Sequence, residues 1–573
     1  MKTLKYFSLF IAAGLFAACS DNLTEGNGVD NDTSITGKGY VNIGINLPTT
    51  NGSSRAYSDN FQNGEKEEYA VNDVIIALFY GIDESSATCK FAFSIKKDQF
   101  FVDGTNNNGD NITTSFASGA VMIPQPAEKE QVFALALVNA PNGFSVSKDV
   151  STDQAGESDA NDVLFLDGAK INSLNDLSAI QASNIKKVEN DQNYYFMSNA
   201  PLAVYRSSIP DYTTQTLAPI TVYKDKSSAE AGAASNPIYV ERAAAKVVVN
   251  IKDGGNDNTL TIDGTKYPYY AGSTVKFEGW TLQNTNKTFY PVRSVSDFAT
   301  WYEINQTRFI SNTSFGTTNQ YRRIYWGIDT NYDVVTEDNN NIFENITPTN
   351  FSAIGSYEYC PENTTTANNM TSDKLTSVLL KATFTPGEFI TGEDFFMKSN
   401  TSAIYTGDQL VNWAIDVLNR NDDTKLSNGE NVTIVGSLPN TGFIAQSQED
   451  ISKLLSIPGT GDELSKRLAA LWNDANGDIK YYHQGITYYY ATAIKHFGDD
   501  IEAPEDGAYE DKHLGRYGVV RNTWYEININ SVSGPGEPSV PEIPVTPPDK
   551  EESYINCKIN VLSWAKRTQD VEL

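Results

Sequence analysis

The chain has 573 residues, with 72 Asp and Glu against 43 Lys and Arg and a formal charge of −29. So acidic a surface repels phosphate backbones and anionic headgroups, and no basic stripe offsets it, which excludes nucleic acid as a partner. The length exceeds what one core fills, and 31 Tyr and 27 Phe among frequent Thr, Asn and Gly favour strands and turns over helical bundles.

In chain order, Lys2 and Lys5 precede an apolar run, Tyr6 to Leu15, and then small residues up to Cys19. That pattern is a secretory signal peptide, too short to span a membrane. Ala17-Ala18-Cys19 resembles the lipobox of bacterial lipoproteins, although Phe16 stands where Leu is usual. Ser20 to Lys38 is polar and rich in Gly, Asn and Asp. Tyr40 to Leu47 then alternates, so that Val41, Ile43, Ile45 and Leu47 share one face of a strand. Behind it, Pro48 to Ala56 has the composition of an exposed loop that proteases nick. Arg55 is the only arginine before Arg206. An arginine-specific protease cutting between Arg55 and Ala56 would separate the first strand from the rest.

Strand-like runs follow at Val74–Tyr80, Phe91–Ile95, Val132–Val138 and Tyr194–Met197, with a short helix predicted within Leu174 to Ile185. Ile238 to Val249 joins two halves, and the Gly, Asp and Asn of Ile251 to Asn258 place a boundary. In the second half Val275–Leu282, Thr288–Val292, Tyr321–Trp326, Thr376–Phe384, Tyr488–Ile494 and Tyr517–Ile529 read as strands. Asp408 and Asp462 are placed as caps of two helices. The expected architecture is all-β: a signal peptide (1–19), a propeptide with the first strand (20–55), two β-sandwich domains (56–250 and 251–532) and a linked terminal strand (533–573).

Pro535, Pro538, Pro541, Pro544 and Pro547 recur every third residue, the period of a polyproline II rod. At about 3.1 Å per residue, Ser533 to Asp549 would span roughly 50 Å. Beyond it Tyr554 to Val561 matches Tyr40 to Leu47 position by position, with Ile555, Cys557, Ile559 and Val561 on one face. The tail therefore reads as a substitute for the first strand. Of the four cysteines, Cys89, Cys360 and Cys557 form no CxxC pair and imply no disulfide framework. They suit small buried positions, and a Cys89–Cys360 bridge stays open.

Chemistry is hard to find. Three histidines serve the chain, and HExxH, GxSxG and P-loop patterns are absent. Asp329 to Asp333 and Asp474 to Asp478 have DxNxD spacing without the sixth-position glycine or the twelfth-position Glu of a calcium loop, and read as acidic turns. Tyr481, Tyr482 and Tyr488 to Tyr490 read as a packed sheet face, with sugar stacking as the alternative. The expectation is a protein that is no enzyme and holds neither cofactor nor metal.

Several segments together resemble a Bacteroidetes fimbrillin, the major (shaft) subunit of the minor-fimbrium type. They are Tyr239 to Lys246, Phe277 to Trp280, Tyr359 to Thr364, Tyr488 to His496, Tyr517 to Tyr525, and Ile559 to Leu573. The resemblance implies transthyretin-like sandwiches and a precursor lipidated (palmitate) at Cys19, carried to the outer membrane and cell surface. It implies cleavage by an arginine-specific protease between Arg55 and Ala56, which frees the strand bearing Val41, Ile43, Ile45 and Leu47. The tail at Ile555, Cys557, Ile559 and Val561 would then be the donor strand. Implied partners are copies of itself, accessory anchor and tip subunits, the protease, and a host or bacterial surface receptor. The alternative is a surface lipoprotein that binds glycan or host protein without polymerising.

Overall fold

A computed structural model describes residues 38–46, 65–96, 115–146, 163–178, 181–205, 212–231, 238–305, 307–315, 320–334, 338–505, 507–550 and 555–563. Cys19, Leu47, Arg55 and Ala56 lie outside them.

The first large sheet is built from β1 (Lys38–Asn46), β2 (Asp73–Gly81), β3 (Thr88–Lys96), β4 (Ser115–Pro124), β5 (Gln131–Val138), β6 (Met197–Asn199) and β7 (Ile238–Arg242). Their order across the sheet is β3-β2-β5-β6-β7-β1-β4, with Ala218–Ile220 also paired to β5. The runs Val74–Tyr80 and Val132–Val138 are apolar on both faces, and both faces are covered. Ile76 and Leu78 point into a core shared with β1, while Ala77 and Phe79 point into another with Leu164, Phe196 and Phe289.

Only Ala243 and Ala244 separate β7 from β8 (Ala245–Ile251), yet β8 belongs to a different sheet. The remaining sandwich strands are β9 (Thr274–Gln283), β10 (Tyr357–Cys360), β11 (Ser377–Thr385), β12 (Ile486–Ala493), β13 (Thr523–Val532) and β14 (Ile555–Ser563). One sheet runs β10-β8-β13-β14; the other places β9, β11 and β12 side by side, with Thr259–Thr261 at the β9 edge. Val247, Val249, Tyr525 and Ile527 of the first meet Val275, Phe277, Leu380 and Tyr489 of the second in one core. The all-β expectation holds, and the described helices are short.

Between β11 and β12, which pair with each other, the chain inserts a four-stranded sheet of Phe395–Lys398, Ala403–Tyr405, Phe443–Ala445 and Ile479–Tyr482. Helices α1 (Gly407–Leu418) and α2 (Asp462–Ala475) pack on it through Leu410, Ala414, Leu468 and Leu471. Both predicted caps shift. Thr406 caps α1, accepting from Gln409 N–H at 3.2 Å, while the Gln409 side chain accepts from Thr406 N–H at 2.8 Å. That reciprocal box satisfies two orphan donors, and Asp408 simply occupies the first turn. At α2 the N-cap is Gly461, with φ +58°, and Asp462 is the first helical residue.

Tyr481, Tyr482 and Tyr489 are core residues. Tyr482 stacks on Phe395 at 4.3 Å between ring centroids and 11° between planes. Cys89 and Cys360 are buried free thiols, so the bridge left open is not formed.

Candidate functional site

The opening strand lies inside its sheet. It pairs antiparallel with β4 from Lys38↔Pro124 to Asn46↔Ser115, with a bulge between Asn42 and Gly44. On the other side it runs parallel to β7 at Ile45↔Ile238 and Asn46↔Tyr239. Near its start, Tyr40 exchanges backbone hydrogen bonds with Tyr223 at 2.7 and 2.8 Å, and the Asn42 amide donates to the Ala229 carbonyl at 3.2 Å. Val41, Ile43 and Ile45 are 0, 1 and 4% exposed and belong to the same core as Val74, Phe93 and Val121. Period-two alternation thus aims three of the four predicted side chains inward. Each contributes about 1.5–3 kcal/mol of burial.

Removing this strand would open a long apolar slot between β4 and β7. Truncating one of its side chains tests how tightly it is held. The variant Ile43→Ala is expected to lose about 2–5 kcal/mol, read as a lowered denaturant midpoint of the uncut chain.

The tail strand β14 sits elsewhere. It pairs antiparallel with β13, from Thr523↔Ser563 to Val532↔Ile555, at the edge of the β10-β8-β13-β14 sheet. The backbone of Ile555, Cys557, Ile559 and Val561 is therefore placed in its own molecule, in a different sheet from Val41, Ile43 and Ile45. The two sheets share a pattern nonetheless. In β6-β7-β1-β4 and in β10-β8-β13-β14 the successive pairings are antiparallel, parallel and antiparallel. In strand order β1 corresponds to β13, where Tyr525, Ile527 and Ile529 are buried at every second position as Val41, Ile43 and Ile45 are in β1. Period-two apolar alternation thus occurs in both strands, as it does in the sequence of the tail.

Between the two sheets lies a lattice of buried charge that the sequence reading did not isolate. Glu68, in the 3-10 turn Lys66–Tyr69, is 1% exposed. Its carboxylate takes the Lys246 ammonium at 2.7 Å and the Tyr359 hydroxyl, and its backbone carbonyl accepts from Arg242 Nε at 2.7 Å. Lys246 also lies 3.7 Å from the Tyr357 ring centre and 4.3 Å from that of Trp524. Burial lowers its pKa, against the pull of Glu68. Glu241 grips Arg293 in a fork at 2.8 and 2.9 Å, and Arg293 donates onward to the Ile324 and Trp326 carbonyls. Glu362 pairs with Arg521, both fully buried. The one available sequence signal was position: Glu241 and Arg242 interrupt an apolar run, and Arg521 follows Val519-Val520.

The acidic turns are bound up with protein donors. Asp329 accepts from Asn331 N–H at 2.8 Å, the Asn286 amide at 2.7 Å and Thr364 N–H at 2.8 Å. Asp474 accepts from Trp413 Nε1 at 2.8 Å and Arg420 at 2.6 Å. His496, itself buried, bridges the Tyr525 hydroxyl and the Tyr325 carbonyl, each at 2.8 Å.

Residues 480–570 match the model of a family described as major fimbrial subunit protein type IV, Fimbrillin, C-terminal. No curated protein sequence matches the chain. Among solved structures it is similar to a candidate cell adhesion protein of Parabacteroides distasonis (12% identity, 92% of this chain and 98% of that one, TM-score 0.33). Another is a candidate cell adhesion protein of Bacteroides eggerthii (10% identity, 94% and 100%, TM-score 0.31). A third is the C-terminally truncated tip fimbrial protein Mfa3 of Porphyromonas gingivalis (11% identity, 92% and 100%, TM-score 0.29).

Proposed function

We propose that this chain, a fimbrillin by its C-terminal region, is a structural subunit of a cell-surface fimbria, assembled by strand exchange and serving adhesion. The precursor is lipidated at Cys19 and held at the outer membrane. An arginine-specific protease cuts between Arg55 and Ala56, β1 leaves, and the tail of a second copy takes its place. The observation that carries this reading is the placement of β1. It is an interior strand with its apolar side chains buried, and its covalent link to β2 runs through the segment that contains Arg55.

In the exchanged state the donor runs as β1 does, antiparallel to β4, with Ile555, Cys557, Ile559 and Val561 in place of Val41, Ile43, Ile45 and Leu47. Main-chain pairing supplies direction and the alternate side chains fill the slot. Head-to-tail exchange of this kind does not close, so it propagates as a filament.

The test is the mature N-terminus of surface material, read by mass spectrometry, together with deletion of residues 551–573. The expected N-terminus is Ala56. The deletion is expected to give cleaved, folded subunits that do not elongate. A lipidated Cys19 on assembled filaments, or filaments from the deleted chain, would contradict the reading.

A further inference from the structure

The proline-rich stretch does not stand off as a free rod: it is fastened to its own domain. Gly534 and Gly536 carbonyls accept the Tyr489 and Tyr482 hydroxyls at 2.9 and 2.8 Å, and the Pro535 carbonyl accepts Thr487. Glu537 pairs with Tyr488 through both backbone groups at 2.7 and 2.9 Å, and its carboxylate meets Lys480 at 2.6 Å. Gly536 has φ +66°, and a Cβ there would lie 2.6 Å from the Tyr488 carbonyl oxygen, so only glycine admits this approach. Further along, Ser372 N–H donates to the Thr546 carbonyl at 3.0 Å.

The stretch ends in a clasp. Asp549 takes Arg516 in a fork, Nε at 2.8 Å and a terminal nitrogen at 2.7 Å. The Tyr509 and Tyr517 hydroxyls donate to the same carboxylate at 2.7 and 2.9 Å. Burial works to raise the Asp549 pKa, but the hydrogen bonds of Arg516 and Tyr509 and the Arg516 charge outweigh it, holding the carboxyl below its ordinary range. Arg516 is itself fixed by donating to the Gly498 and Ile501 carbonyls. One residue later, Lys550 N–H closes a turn on the Pro547 carbonyl at 2.9 Å.

We propose that Asp549 is a positioning residue for strand exchange: its clasp on Arg516, Tyr509 and Tyr517 holds the linker on its own subunit in both states, so that the terminal strand swings to a second copy from a fixed point at Lys550. This rests on the strand-exchange reading above. A four-donor, charge-assisted site is stiffer than the polar contacts of an ordinary linker. The linker therefore acts as a strut, fixed as far as Lys550, that sets the spacing and orientation of successive subunits.

The experiment compares wild-type full-length chain with D549A, the gentler Y517F and the conservative D549E, by hydrogen exchange of linker amides and by bending stiffness of assembled filaments. D549A is expected to elongate but with linker amides near Lys550 exchanging at least about tenfold faster, and with visibly more flexible filaments. Y517F should shift both readouts in the same direction by less, and D549E should restore part of the loss. Unchanged exchange and unchanged stiffness in D549A and Y517F would overturn the clasp. Filaments formed by the chain lacking residues 551–573 would instead overturn strand exchange itself.

Discussion

Replacing Arg55 with alanine is expected to produce a subunit that keeps its N-terminal segment and remains monomeric, the largest effect any single substitution should have on assembly. The physical ground is the proposed competition of two strands for one slot. Bound in its own chain, β1 is presented to the slot at an effective concentration on the order of millimolar. A neighbour's tail at micromolar concentration is at a thousandfold disadvantage, about 4 kcal/mol at 1.4 kcal/mol per factor of ten. The tail gains nothing in side chains to offset this, since Ile, Cys, Ile and Val are no larger together than Val, Ile, Ile and Leu. Cutting removes the tether, and the balance becomes one of concentrations, of the fibre's continuity and of the β13 pairing that the tail gives up. Intact mass and size-exclusion elution of the R55A chain, incubated with the protease, check this. Filaments of uncut R55A chain would mean that proteolysis is not the trigger.

The second large effect is on stability. Glu362→Ala should destabilise the chain by about 3–5 kcal/mol, because it strands the Arg521 guanidinium in a site from which both groups are excluded from water. Against a total stability of roughly 5–15 kcal/mol this is severe. The Tyr290 carbonyl still accepts from Arg521 at 2.7 Å, but a carbonyl dipole does not balance a full charge. Two controls separate the pair from its burial. Replacing both residues by methionine is expected to recover most of the loss, since the penalty comes from the unpaired charge. Breaking the exposed Lys226–Glu230 pair, at 3.7 Å and more than half accessible on both sides, should change stability by well under 1 kcal/mol. Denaturant midpoints of the three variants, compared at constant slope, decide the matter. Equal losses from the buried and exposed pairs would show that burial of the ionic lattice carries no weight.

The lattice also bears on the proposed release of β1. Glu68 lies thirteen residues after Arg55 in the sequence and is held by Lys246, Arg242 and Tyr359. On the proposed reading, a chain cut at Arg55 would stay pinned at Glu68, ahead of β2.

What the residues determined by themselves was local. Alternation at Val41, Ile43 and Ile45 decided which side chains of β1 turn inward, and the unbroken apolar runs at Val74–Tyr80 and Val132–Val138 decided that β2 and β5 are covered on both faces. Apolar spacing placed α1 and α2. Their causes act within a few residues, so a linear reading reaches them. The caps of both helices were misread by a residue or two, because a Thr406–Gln409 box and a glycine at positive φ compete with a nearby aspartate on local geometry alone. Tertiary structure alone decided the rest. That the tail lies on β13, that the proline stretch is fastened by Tyr482, Tyr489 and Arg516, and that Glu68 meets Lys246 and Tyr359 all join residues far apart in the chain. Polar groups excluded from water must find partners wherever the fold brings them, and no periodicity in the sequence records that meeting.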